Sequence, residues 1–127
     1  KVNFSVEAPA KADMQVMLNK NLLSWVLENL LNNAVDAMNG VGDLNVVLIE
    51  DDKNVMIDVT DTGKGMTKSQ YKAVFNPGYT TKSRGWGLGL ALSKRIIEEY
   101  HKGRIFVKTS APGKGTTFRI ILSKTKV

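Results

Sequence analysis

A chain of 127 residues that is 43% hydrophobic and 24% charged has the size and balance of one globular domain with a single core, and residues 1–127 are expected to form one. It holds no cysteine, which excludes a disulfide framework, a thiolate metal site and a cysteine nucleophile, and no apolar run approaches the roughly 18 to 20 residues of a membrane-spanning helix. The net charge of +6 conceals a division: residues 1–63 carry 4 Lys/Arg against 10 Asp/Glu and residues 64–127 carry 14 against 2, so the second half attracts an anion, whether nucleotide phosphate, nucleic acid or an acidic protein surface.

Residues 2–7 alternate weakly and residues 14–18 are apolar, so both read as short strands leading to Asn19 or Asn21 as a helix cap. Leu23, Val26, Leu27, Leu30, Ala34, Ala37 and Met38 then recur at helical spacing and form one buried stripe, and Gly40 and Gly42 stop the helix. Trp25 falls away from that stripe and is expected to be an exposed contact. Residues 44–50 and 54–60 read as strands joined by the polar turn Asp51-Asp52-Lys53. A short helix from about Lys68 to Val74, a glycine-rich basic loop from Phe75 to Gly87 and a helix from about Leu88 to Tyr100 come next. His101 is read as a cation complementing the end of that helix, with Gly103 terminating it. Residues 104–109 and 116–122 close the chain as a second hairpin. The expected fold is α+β: a two-layer sandwich with three helices on one face of a mixed, mostly antiparallel sheet.

Three stretches carry chemistry. Within the long helix, Asn29, Asn33 and Asp36 fall within about 60° of one another beside the apolar stripe. Asparagines beside a core need polar partners, and a metal-bound polyphosphate is one, because an amide oxygen can ligate Mg while the amide nitrogen donates to phosphate. A polar face bonded to water or a neighbouring loop is the alternative. At the end of the second hairpin strand, Asp61-Thr62-Gly63-Lys64-Gly65-Met66 offers a carboxylate for an exocyclic amine and glycines that let backbone approach a flat base, although Asp-Thr-Gly is also ordinary turn chemistry. Finally, 6 of the 11 glycines lie between positions 63 and 89, and those opening the last helix expose amide groups suited to an anion. Lys82 and Arg84 precede them and could act on phosphates; a plain glycine-rich linker is the alternative. No Gly-Lys-Ser/Thr follows a glycine run, so this is not a P-loop, and no strand leads directly into it, so it is not a dinucleotide fingerprint.

In combination and order, the asparagine box, Asp61-Thr62-Gly63-Lys64-Gly65, Phe75-Asn76-Pro77-Gly78-Tyr79-Thr80-Thr81-Lys82, Gly87-Leu88-Gly89-Leu90 and Gly113-Lys114-Gly115-Thr116-Thr117-Phe118 resemble the GHKL ATPases and kinases, most of all sensor histidine kinases. The resemblance covers nearly the whole chain and implies the Bergerat-type sandwich of that family, with ATP and Mg as ligands. It implies Asn33 as the Mg ligand, assisted by Asn29, with Asp36 on the same nucleotide face. Asp61 would take the adenine amine, Gly63, Gly65 and Met66 would line the base, and Thr116 would lie beside Asp61. Thr81, Lys82, Arg84 and Gly85 would belong to the lid, and Gly87, Leu88, Gly89 and Leu90 would meet the phosphates. Asn29, Asn33, Lys82 and Arg84 would then be the catalytic set.

Two departures matter. Many histidine kinases have Lys-Tyr where this chain has Asp36-Ala37, so an aromatic often set against adenine is missing. GHKL hydrolases carry a Glu four residues before the metal-binding Asn, where this chain has Asn29; Glu28 should face away, while Asp36 lies on the nucleotide face. The implied activity is transfer of the γ-phosphate to a histidine on a separate dimerising domain, and from there to a response regulator receiver domain. The parent would be a homodimer working in the cytoplasm, with any inner-membrane anchor outside these residues. A GHKL serine kinase or ATPase is the alternative, followed by a basic nucleic-acid-binding module; no nucleic acid or membrane partner is expected.

Overall fold

The computed structural model describes residues 1–8, 19–79 and 89–124. The expected strand at 14–18 lies outside them. Strand β1 spans Val2–Glu7, helix α1 Lys20–Ala37, strand β2 Gly42–Glu50 and strand β3 Asn54–Asp61. Short helix α2 covers Gln70–Ala73, helix α3 Gly89–Arg95, strand β4 Arg104–Ser110 and strand β5 Thr116–Ser123.

Asn19, not Asn21, caps α1: its side-chain oxygen accepts from the Leu22 amide at 3.1 Å. Val26, Leu30 and Ala34 form the buried stripe at four-residue intervals, and Trp25 and Glu28 stand at the surface. The helix stops where Asn39 and Gly40 take left-handed φ values of 52° and 76°.

The sheet order is β1-β2-β3-β5-β4, with β1 parallel to β2 and every other pair antiparallel. Leu44, Ile57, Val59, Ile105, Phe118 and Ile120 face the helices and share one core with the α1 stripe, Phe75, Ile96 and Ile97. The helices therefore cover one side, as the apolar patterning predicts. On the other side Asp58, buried by the sheet, receives two hydrogen bonds from Arg119 at 2.7 and 2.8 Å. Burial pushes the Asp58 pKa up, but the Arg119 bonds and charge, with Lys108 at 3.4 Å, outweigh it and hold the carboxyl below its usual range.

Two details depart from expectation. The last helix widens into a π-type turn over Ile96–Tyr100, because the backbone N–H and ring Nδ1 of His101 converge on the Ile96 carbonyl, five residues back, at 3.2 and 2.9 Å. His101 caps the terminus, but not as a cation: the Asn19 amide donates to its Nε2 at 2.9 Å, so Nε2 must be unprotonated and Nδ1 carries the proton. Nor does Gly103 supply the left-handed residue, since Lys102 does at φ 55°; Gly103 is glycine because a Cβ would lie 2.3 Å from the Ile121 carbonyl. His101 thus ties the start of α1 to the end of the last helix. His101→Ala should lower stability by roughly 1–2 kcal/mol, as expected for two lost hydrogen bonds partly replaced by water. Urea unfolding measures this, and an unchanged midpoint would contradict it.

Candidate functional site

Asp61 ends β3 on the helix side and pairs directly with Thr116 of β5. It is 5% exposed, and its Oδ1 accepts from the Gly63 amide at 2.8 Å and the Thr116 amide at 3.2 Å. Among the described residues nothing donates to Oδ2, the oxygen left to receive a ligand's N–H. Burial raises the Asp61 pKa above its ordinary 3.8 more than the two amide bonds lower it.

Glycine lets the backbones of three chain segments meet around Asp61. A Cβ on Gly63 would sit 2.6 Å from the Ala37 carbonyl group, so the turn after β3 presses on the last turn of α1. At Gly65, φ is 69° and a Cβ would lie 2.0 Å from the Ala111 oxygen; at Gly115, φ is 82° and a Cβ would lie 2.0 Å from the Asp61 oxygen. Met66 is half-buried against the core, and its amide donates to Ser110 Oγ at 2.9 Å.

A second cluster lies further back along α1. Asn29 Nδ2 donates to the fully buried Ser93 Oγ at 3.2 Å, and Gly89 closes on the same amide so tightly that a Cβ would lie 2.3 Å from Asn29 Oδ1. Leu90, beside it, packs against the core. Asn33 is half-buried one turn further along, and Asp36 is exposed. The structure therefore gathers Asp61, Gly63, Gly65, Met66 and Thr116 at one end, Asn29, Gly89 and Leu90 at the other, and Asn33 between them on α1. Thr81, Lys82, Arg84, Gly85, Gly87 and Leu88 lie outside the described residues.

Reading the sequence missed Ser93, Ser110, Tyr71 and, as a site residue, Gly115. Ser93 follows Gly89 by one helical turn, which was a usable sign that both face α1. Nothing local marks Tyr71. Among the described residues no group of three or more His, Cys, Asp or Glu is placed to hold a metal ion.

Residues 19–126 match the family described as histidine kinase-, DNA gyrase B-, and HSP90-like ATPase. The chain belongs to that family. Membership brings ATP as its ligand class. Relatives of this ATPase-family domain include sporulation kinase E of Bacillus subtilis, 46% identical over 80% of this chain and 14% of the relative, and sensor histidine kinase ZraS of Escherichia coli, 42% identical over 85% and 23%. The chain thus spans less than a quarter of either relative. The catalytic domain of histidine kinase ThkA superposes with a TM-score of 0.85 at 28% identity, covering 98% of this chain and 82% of that one. ThkA in complex with the response regulator TrrA also matches, with a TM-score of 0.82 at 26% identity over 98% and 34%.

Proposed function

We propose that residues 1–127 are the ATP-binding catalytic domain of a sensor histidine kinase, which holds Mg-ATP along α1 and donates the γ-phosphate to a histidine on a separate dimerisation domain. The observation that carries this reading is the pairing of two clusters by one helix. The Ala37–Gly63 contact sets the C-terminal end of α1 against the Asp61 wall, and the Asn29–Gly89 contact sets the start of α3 against the same helix eight residues earlier. At 1.5 Å per residue that is about 12 Å, the span from a purine to the terminal phosphate of an extended nucleotide. Asp61 Oδ2 takes the adenine amine; Asn29, Asn33, Gly89 and, from the sequence pattern, Lys82, Arg84 and Gly87 act at the phosphates.

The donor set suits Mg. Mg keeps most of its waters and takes one or two protein oxygens plus phosphate oxygens, so amide oxygens on one helix face suffice without a carboxylate cage. Asn33 would ligate it, with Asn29 held beside it by Ser93; bound there, Mg would screen the phosphates and neutralise charge developing during transfer. Kinase rather than hydrolase chemistry follows from Asn29 standing where hydrolases place a Glu, with that amide already engaged by Ser93 and Glu28 at the surface. No carboxylate on that turn is set to activate water. By analogy with ThkA and TrrA, a response regulator would take the phosphoryl group from the longer, dimeric kinase.

Asn33→Ala should lower Mg-ATP affinity by roughly tenfold or more, about 1.4 kcal/mol per decade, while the domain stays folded. Calorimetric titration of the folded variant tests it. An unchanged titration would remove Asn33 from the site.

A further inference from the structure

Ser110 ends β4, and it reaches the site because of an irregularity. Between Val107 and Thr109 the β4–β5 register shifts by one, so that Ser110, not Thr109, stands opposite Thr116. Tyr71 holds it there, since its hydroxyl donates to the Ser110 carbonyl and accepts from the Ser110 amide at 2.7 Å. The Ser110 hydroxyl has three neighbours: the Met66 amide at 2.9 Å, the Gly115 carbonyl at 2.8 Å and the Thr116 hydroxyl at 2.8 Å.

Counting protons gives each bond a direction. The Met66 amide can only donate and the Gly115 carbonyl can only accept, so the single Ser110 proton goes to Gly115. Reversing it toward Thr116 would strip a buried carbonyl of this bond, which costs more than a hydrogen bond returns. The bond between Ser110 and Thr116 must then run from Thr116 to Ser110. With its proton committed, the Thr116 hydroxyl offers only lone pairs on its remaining sides, on the residue that pairs with Asp61 across β3 and β5.

We infer that Ser110 is a positioning residue for base selectivity: it touches no ligand but turns Thr116 into an obligate acceptor, so that Thr116 and Asp61 together receive the two N–H groups of an exocyclic amine. This rests on the base site proposed above.

The test is titration of the 127-residue chain with Mg-ATP and with the Mg complex of purine riboside triphosphate, in which hydrogen replaces the amine. Ser110→Ala frees the Thr116 proton and should cut the preference for ATP by roughly fivefold, the worth of one hydrogen bond, with affinity for the amine-free nucleotide held within about twofold. Ser110→Thr, which keeps the hydroxyl, should restore it. Undiminished preference in Ser110→Ala overturns the inference, and so does an equal loss for both nucleotides, which a merely structural role would give. If Ser110→Ala does not fold, Thr116→Val decides: it removes the directed hydroxyl while Met66 and Gly115 stay bonded, and a full preference there is equally fatal. An unmodified chain with no preference strikes at the base site and takes this inference with it.

Discussion

Asp61→Asn is expected to lower ATP affinity by roughly 10- to 100-fold and to erase the preference for ATP over GTP, with the fold retained. A hydrogen bond to a charged acceptor contributes about 1.5–3 kcal/mol, and each 1.4 kcal/mol is a decade in affinity. Guanine presents a carbonyl where adenine presents an amine, so the native carboxylate opposes it with a second acceptor and no proton between them. Calorimetry with both nucleotides measures the ratio; equal affinities in the unmodified chain would refute the assignment.

The two buried aspartates add a pH dependence of known sign. The Asp61 pKa is raised by burial, so its share of stability is present below the unfolded value of 3.8 and is lost as pH rises through the folded one. Asp58 is depressed, so its share is present above 3.8 and is lost only as pH falls through its lower folded value. On acidification Asp61 therefore protonates first, while the Asp58–Arg119 pair still holds. The preference for ATP over GTP should narrow in that window before the domain unfolds, and a ratio constant down to unfolding would contradict the geometry.

The largest effect on stability is expected at Gly115. Alanine there takes an unfavourable left-handed φ of 82° and puts Cβ 2.0 Å from the Asp61 carbonyl oxygen and 2.9 Å from the Thr62 Cα, both backbone atoms of the facing chain. Roughly 2–4 kcal/mol should be lost, together with displacement of Thr116 from Asp61. Gly113, two residues earlier with φ 76° and nothing within 4 Å, is the control: Gly113→Ala carries only the backbone penalty, about 1 kcal/mol. Urea unfolding of both variants reads the difference. Equal losses would mean that the close approach to Asp61 has no energetic weight.

What could be read from the chain, and what could not, divides by the range of the interactions. The α1 stripe was legible because 18 residues of helix repeat one pattern, and the β2–β3 and β4–β5 hairpins because alternating apolar runs flank short polar turns. Asp61 beside Thr116 was reachable only through the resemblance, since their pairing spans 55 residues. The register shift before Ser110 leaves no local mark, yet it alone decides which side chain meets Thr116. His101 was misread as a cation because the Asn19 amide that fixes its neutral form lies 82 positions away. Asn29 shows the same limit: its place on a polar face was clear, but Ser93, which orients its amide, is 64 residues distant.

The separation of binding from turnover can be measured directly. Residues 1–127 are incubated with Mg-ATP labelled in the γ-phosphate, alone and with a separately supplied histidine-bearing helical domain of the kinase. A site that positions the γ-phosphate without a base for water should release phosphate on the order of 10⁻³ s⁻¹ or slower, as nucleotide sites awaiting a missing catalytic group do. Label should instead accumulate on the added domain as acid-labile phosphohistidine. Fast phosphate release by the chain alone, abolished in Asp36→Asn or Glu28→Gln and unaccompanied by label on histidine, would identify a carboxylate base and make the domain a hydrolase.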